Sequence, residues 1–251
     1  MPPATIPVVA TLNRPAELEQ ATALYRDVFG YTDLRQGASP RLLTALRGNG
    51  GSVVGAHDSS GRVIAFAYGF PGTDGHSTYH YSQAAVVEAA HQGRGLGRAL
   101  KAAQRDVALS WGTRRMRWTF DPLITRNAHF NLDVLGSVGR WFHPGFFGDG
   151  TDRITVDWDL ERPPGPTAEP VAAPCAAAEE PWGRPVRDSA RIWVPVPSDT
   201  AALARTDRGR ADDARGRIAE TLGTLTEAGW SVVSCTVPDG GTGLYRLERS
   251  R

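Results

Sequence analysis

An α+β fold follows from three features of this 251-residue sequence. Runs rich in β-branched and aromatic residues alternate with apolar stripes at helical spacing, in the order β-α-α-β-β-β-α-β-α-β-β over roughly residues 5 to 160. A glycine turn, Gly93-Arg94-Gly95-Leu96-Gly97, joins one of those strands to a long helix. A Pro/Ala/Glu-rich stretch then precedes a shorter β-α-β-β pattern at the C-terminus. The expected organisation is a first domain over residues 1–162, a linker over 163–188 and a small unit over 189–251.

Taken in order, Ile6 to Leu12 reads as a strand ended by Asn13-Arg14-Pro15, where Asn13 can cap and Pro15 can open a helix. Leu18, Ala21, Leu24, Val28 and Phe29 form that helix's apolar stripe, and Gly30 stops it. Ser39-Pro40 starts a second helix with Leu42, Leu43 and Leu46, closed by Gly48-Asn49-Gly50-Gly51. Ser52 to Ala56 and Val63 to Phe70 are strands joined by Asp58-Ser59-Ser60-Gly61, which is hairpin chemistry. A loop at Pro71 to Gly75 leads to the strand Tyr79 to Val87, and Leu96, Leu100, Ala103, Val107 and Trp111 mark the helix beyond the glycines. Met116 to Phe120 is the next strand and Asp121-Pro122 turns the chain. Ala128 to Leu135 then reads as helix, and Val138 to Phe142 and Ile154 to Leu160 as strands. In the C-terminal unit Ile192 to Val196, Trp230 to Val237 and Leu244 to Leu247 are strands and Ala211 to Ala228 is an amphipathic helix. Asp239-Gly240-Gly241 joins the last two strands. A unit this small buries little core by itself, so it is expected to dock on the first domain.

Composition narrows the function classes. Hydrophobic residues make up 41%, charged residues 22%, and the net charge is +1, with no basic tract interleaved with aromatics, so nucleic acid is not an expected partner. Lys101 is the only lysine among dispersed arginines. Cys175 and Cys235 have no metal-ligand spacing and are too few for a disulfide scaffold. No apolar run approaches the ~20 residues that span a bilayer. Met1 to Ala10 lacks a charged start, so the expectation is a cytoplasmic protein with no membrane partner and no metal.

The glycine turn carries the functional reading. Upstream residues form a strand and downstream ones a helix, so the glycines let the backbone approach a ligand closely. The first helical turn presents unpaired N–H groups and the positive end of the dipole. An anionic pyrophosphate fits there, with Arg94 and Arg98 available to further phosphates. A Walker loop needs Gly-x-x-x-x-Gly-Lys-Ser/Thr, which is missing, and a dinucleotide turn needs Gly-x-Gly-x-x-Gly, whereas here the spacing is Gly93-x-Gly95-x-Gly97. The pattern Gln/Arg-x-x-Gly-x-Gly/Ala is matched by Gln92, Gly95 and Gly97. On these residues, and on the order of elements, the chain resembles the GNAT superfamily of N-acyltransferases over about two thirds of its length. Trp118-Thr119-Phe120-Asp121-Pro122-Leu123, Arg126-Asn127-Ala128-His129-Phe130-Asn131-Leu132 and Thr151-Asp152-Arg153 are similar to a bacterial subgroup with an added C-terminal element.

The resemblance implies a mixed, mostly antiparallel central sheet flanked by helices and a cofactor of acetyl-CoA or another short acyl-CoA. Gln92, Gly93, Arg94, Gly95, Leu96, Gly97 and Arg98 would hold the pyrophosphate, and backbone groups of Val86 and Val87 the pantetheine. The implied reaction is N-acylation of a small amine or amino acid by direct attack in a ternary complex. No cysteine near the turn offers a covalent route. Candidates for the base lie on or beside the strand: His80, whose ordinary pKa is about 6.5, and Glu88 nearest the turn. A water chain to a distant carboxylate is a third route. Strict alternation places Tyr81, Gln83 and Val87 on one face and His80, Ser82 and Val86 on the other. Tyr81, Gln83, Trp118, Phe120 and Asp121 are candidates for the acceptor pocket, the aromatics being equally suited to the core. Aligned on Ala128 and Leu135-Gly136, the family's proton-donating tyrosine falls at Leu132. That leaves Asn127, Asn131 or solvent to serve the thiolate, with Asn127 also readable as a helix cap. The C-terminal unit can complete the acceptor pocket, form a homodimer surface or give simple support. A non-catalytic acyl-CoA-binding module is the alternative function.

Overall fold

A computed structural model describes residues 7–33, 36–148, 150–174, 177, 181–188, 190–239 and 241–249. Ile6, Cys175 and Gly240, which the sequence reading uses, lie outside them. The chain divides into two compact units, with the boundary between Arg117 and Trp118.

The first unit begins with β1 (Val9–Thr11), α1 (Pro15–Phe29) and α2 (Pro40–Gly48). Pro15 opens α1 as expected, but Asn13 is not the cap. Arg14 occupies that position, and Glu17 reaches back so that its Oε2 accepts from the backbone N–H groups of Asn13 (2.9 Å) and Arg14 (2.8 Å). A carboxylate covers two orphan amides where a shorter asparagine side chain was expected to cover one. Arg14 Nη2 donates to Glu17 Oε1 at 2.9 Å. That hydrogen bond, ahead of the two backbone ones, holds the Glu17 carboxyl down at about 2. Ser39 caps α2 by accepting from Leu42 N at 3.2 Å.

β2 (Ser52–His57) and β3 (Val63–Thr73) pair antiparallel across the Asp58-Ser59-Ser60-Gly61 turn. Asp58 Oδ1 accepts from Ser60 N and Arg62 N there, and Gly61 has a φ of 83°. β4 (Thr78–Val87) pairs antiparallel with β3, α3 spans Leu96–Ser110, and β5 (Arg115–Phe120) runs parallel to β4 at His80↔Met116 and Tyr81↔Arg117. One core cluster joins Leu18, Leu24 and Tyr25 of α1 to Phe66, Tyr68, Ala84 and Val86. A separate cluster joins Leu96 and Leu100 of α3 to Val54, Ile64 and Ala67, with Val87 packed against it. The sheet is thus covered by helices on both faces.

The expected alternation along β4 fails in one place. Tyr68 pairs with Ala84 and Gly69 with Ser82, so Gln83 is the extra residue of a β-bulge. His80 and Ser82 therefore face α3, whereas Val86, expected on their face, packs toward α1, and Val87 takes the α3 side.

The second unit contains α4 (Thr125–His129), a wider i→i+5 turn over Phe130–Val134, β6 (Val138–His143) and β7 (Arg153–Asp159). It continues with β8 (Val186–Asp188), β9 (Arg191–Pro197), α5 (Thr200–Thr206), α6 (Arg208–Glu227), β10 (Trp230–Asp239) and β11 (Thr242–Arg249). Five strand pairs within it are antiparallel: β7 with β6, β6 with β10 at Gly139↔Val232, β10 with β11, β11 with β9, and β9 with β8. The C-terminal strands therefore extend the β6–β7 hairpin into one sheet. Among the described residues, no helix is long and apolar enough to cross a membrane.

Glu17 gives a test of the α1 start. Its folded pKa lies below its unfolded value of 4.5, so its contribution is present above that value and fades as pH falls toward about 2. Glu17→Ala is expected to lose about 1–2 kcal/mol at pH 7. The gap from the native chain should narrow below pH 4.5, read by chemical denaturation at several pH values.

Candidate functional site

β4 ends at Val87, and Glu88 N donates to Ile64 O at 2.9 Å before a tight turn over Ala89–His91 leads into the glycines. Gly93 and Gly95 have φ of 75° and 86°, the left-handed region that glycine enters without strain. Gly95 is the N-cap of α3 and accepts from Ala99 N at 3.0 Å. It brings no capping side chain, so the first amides of α3 keep their donors for a ligand. Arg94 and Arg98 stand exposed beside them, and neither forms a hydrogen bond or ion pair among the described residues. Gln92 is placed differently from a phosphate ligand: its Nε2 donates to Val87 O at 3.1 Å and clasps the turn to the strand.

Val86 and Val87 pair with Phe66 and Ala65 of β3 along one edge. The parallel ladder to β5 is confined, within this unit, to His80 and Tyr81. The other edge of β4 near Val86 and Val87 is therefore without a strand partner from the same unit among the described residues. Such an edge offers backbone donors and acceptors to an extended ligand.

His80 sits inside the unit. It is fully buried, its ring stacks on Trp111 with centroids 5.1 Å apart, and its Nε2 lies 2.7 Å from Ser52 Oγ. Five buried polar side chains connect here. Lys101 Nζ donates to Ser82 Oγ at 2.8 Å, and Ser82 Oγ donates to Gln104 Oε1 at 2.8 Å. Gln104 Nε2 donates to Ser52 Oγ at 3.3 Å. Ser52 Oγ thus accepts from Gln104 and lies within hydrogen-bond distance of His80 Nε2, while the buried His80 Nδ1 has no hydrogen-bond partner among the described residues. Burial, reinforced by the Lys101 charge, pushes the His80 pKa down to about 3. Burial pushes Lys101 down to about 7. A Cβ on Gly69 would collide with His80 Cε1 and Tyr81 O, so β3 needs a glycine where this ring crosses it. The ring thus has the surroundings of a core histidine, with none of the solvent access that a base for an incoming amine requires.

Glu88 is at the surface end of the strand, in an ion pair with Arg62 and a hydrogen bond with His91. Arg62 Nη1 and Nη2 donate to its two oxygens at 2.6 and 3.0 Å, and His91 Nδ1 donates at 2.7 Å. The Arg62 hydrogen bonds, and then His91, lower its pKa, which weakens it as a base. Tyr81 is half-buried with its ring 5.5 Å from Phe70, and Gln83 is the half-buried bulge residue.

In the second unit, Trp118 and Phe120 are both 5% exposed. Trp118 meets Trp158 edge-on at 6.1 Å, and its Nε1 donates to Asn131 Oδ1 at 3.1 Å. Their alternation expresses burial against the core. Asn127 does not cap a helix: it lies within α4, where its N–H donates to Ile124 O at 2.9 Å and Ile124 holds the cap position. Its side chain is exposed, with no partner among the described residues. Leu132 is fully buried in the wide turn, so no hydroxyl is offered from that position.

Asp121 lines a cleft of about 700 Å³ formed by Asp121 to Arg126 on one side and Ser198 to Arg215 on the other. Its Oδ1 accepts from Leu123 N at 2.8 Å, and its Oδ2 lies 3.8 Å from Arg153 Nη1. Hydrogen bonds pin the two walls together. Thr200 Oγ1 donates to Leu123 O at 3.2 Å, Thr125 Oγ1 to Ser198 O at 2.9 Å, and the buried Tyr245 hydroxyl to Pro122 O at 2.7 Å. Sequence reasoning reached Asp121 here and missed Arg208 and Arg215. The available signal was the run Arg208-Gly-Arg-Ala-Asp-Asp-Ala-Arg215, whose buried Ala211 and Ala214 mark the inner face of α6.

Residues 17–130 match the model of the acetyltransferase (GNAT) family. Among solved structures, the NatC complex bound to Gag peptide and CoA aligns at 10% identity with a TM-score of 0.50, covering 61% of this chain and 97% of that one. The structure of yncA from Salmonella typhimurium with its cofactor acetyl-CoA aligns at 22% identity and a TM-score of 0.49, covering 67% and 100%. Ribosomal-protein-alanine N-acetyltransferase from Brucella melitensis aligns at 17% identity and 0.47, covering 61% and 99%. At 10% identity the first of these bears on the fold alone. None of the proteins of curated function matches this sequence.

The buried lysine has a measurable consequence. Between its folded pKa of about 7 and its unfolded value of 10.5 the unfolded chain holds a proton that the folded chain does not. Stability therefore rises with pH there, at most by about 1.4 kcal/mol per pH unit. Lys101→Met should flatten that rise between pH 7 and 9 in denaturant titrations, and equal slopes for both proteins would refute the burial of a titrating amine.

Proposed function

We propose that this chain, whose residues 17–130 match the model of the acetyltransferase (GNAT) family, is an N-acyltransferase moving an acetyl group, or another short acyl group such as succinyl, from acyl-CoA to the amine of a small molecule or amino acid. The observation that carries this reading is the turn from Gln92 to Arg98. Two glycines in the left-handed region and an uncapped helix start face solvent, with Arg94 and Arg98, unpartnered among the described residues, beside them. These groups suit a pyrophosphate, and the edge of β4 at Val86 and Val87, which takes no strand partner from the same unit among the described residues, suits the pantetheine amides. Acyl-CoA supplies an activated acyl thioester. The remaining work falls to the protein: fixing the donor, admitting the amine and excluding competing water.

His80 and Glu88 serve this site as supports. His80 anchors β4 to β2 through Ser52, and Glu88 ties the entrance of the turn to Arg62 and His91. Proton removal from the acceptor is assigned to water. A thiol with an ordinary pKa of about 8.5 needs little help to leave, and Asn127 is the exposed amide available to it. Residues 1–162 act as the catalytic domain, working as a ternary complex in the cytoplasm. The buried Leu132 favours one rival reading, a module that binds acyl-CoA without turnover. Thiol release together with an acylated product mass, from a pooled amine and amino-acid library, separates the two.

Two outcomes test the proposal. Gly95→Val forces a β-branched residue to a φ of 86°, and it is expected to weaken CoA binding about tenfold or more in calorimetry while the fold persists by circular dichroism. Unchanged affinity would refute the cradle. In the rate profile, kcat/KM should climb with pH toward the acceptor amine's own pKa and move when an amine of different pKa is used. A plateau at one fixed pH for every amine would instead reveal a base on the protein.

A further inference from the structure

We propose that the cleft between the Asp121–Arg126 segment and helices α5 and α6 is a binding site for a small molecule carrying a carboxylate beside a short aliphatic body, with Arg215 as the anion-binding residue. That this molecule is the acyl acceptor rests on the N-acyltransferase reading above; the anion site does not.

The cleft, at about 700 Å³, has the size of a metabolite site. Its walls are preset, because Thr200, Thr125 and Tyr245 each donate a hydrogen bond from one part of the chain to a carbonyl on another. A site ordered before binding loses less entropy when a ligand enters. Gly243 packs against Thr125 of one wall: a Cβ there would come within 2.9 Å of Thr125 Cγ2, so the absence of a side chain lets that residue sit where it does.

The charges in the cleft are unequally engaged. Each acid is already committed: Asp199 Oδ1 accepts from Ala202 N at 2.8 Å, Asp212 pairs with Arg208 at 3.5 Å, and Asp121 holds Leu123 N and faces Arg153. Arg215 is half-buried and has no hydrogen bond or ion pair among the described residues. A guanidinium that has lost part of its water and has no protein anion is set to receive one from a ligand, and its planar fork matches a single carboxylate. Ile124 lines the same cleft with 46% of its surface exposed. Exposed apolar surface beside an unpaired cation selects a ligand with a short hydrocarbon body and one acidic end.

The test pairs amines that differ only by that acidic end. With acetyl-CoA as donor, kcat/KM for 4-aminobutyrate is compared with that for n-butylamine by thiol release. Calorimetry with 4-aminobutyrate alone reads binding without turnover. The expected result is a preference for 4-aminobutyrate of about tenfold or more, the scale of one charge-assisted contact. Arg215→Met should bring that ratio toward one through KM, and Arg215→Lys should restore part of it. Melting temperatures confirm that both variants fold. Binding of 4-aminobutyrate that depends on Arg215, with no acylation of either amine, upholds the anion site and overturns its role as acceptor pocket. Turnover of both amines at one rate, untouched by Arg215→Met, overturns the anion site and leaves the acyltransferase reading in place.

Discussion

The start of α3 can serve an anion only if the helix is held in one position against the sheet, and the buried chain from Lys101 through Ser82, Gln104 and Ser52 to His80 provides that constraint. It ties α3 to β4 and β2 by hydrogen bonds. In a dry interface an unmet donor or acceptor costs about 1–3 kcal/mol, and His80 Nδ1 is the atom of this network left without a partner among the described residues. A sliding helix would break several bonds at once. The network therefore sets register as well as contact. Its price is a lysine whose charge burial opposes, in a chain with no other lysine.

The bulge at Gln83 is the second element of that design. It turns β4 so that the half before it faces α3 with polar side chains, while Ala84 and Val86 beyond it face α1 with apolar ones. One strand thus serves two different interfaces. The turn that follows it is held by Gln92 on Val87 and by the Glu88 contacts.

Much of this was legible in the sequence, for reasons that differ by residue. Gly93 and Gly95 announce themselves because the backbone there needs a positive φ, and glycine is how a sequence states that need. The strand and helix order was legible because each element buries one periodic face. The role of His80 was not, because the side chains that enclose it, Ser52, Trp111 and the Lys101–Gln104 pair, come from distant parts of the chain; and the bulge at Gln83 carries no signature in sequence, so strict alternation misplaces Val86 and Val87 beyond it. Asn13 and Asn127 were plausible caps by residue type, yet a carboxylate three residues into α1 displaced the first and an earlier helix start enclosed the second. Trp118 and Phe120 could be core or pocket by pattern alone, and only packing against Trp158 decides for core. The cleft was the least legible part, since its walls lie more than seventy residues apart in sequence. They meet because β10 pairs with β6 and Tyr245 reaches Pro122.

The most direct measurement is a titration of ¹⁵N-labelled protein with CoA, following each backbone amide. The account requires the largest shifts at Gly93 to Arg98 and along Val86 and Val87, with Lys101 and Gln104 little moved beneath them. Shifts confined to other parts of the chain, or none at all, would contradict the claim that this glycine turn is the acyl-CoA site.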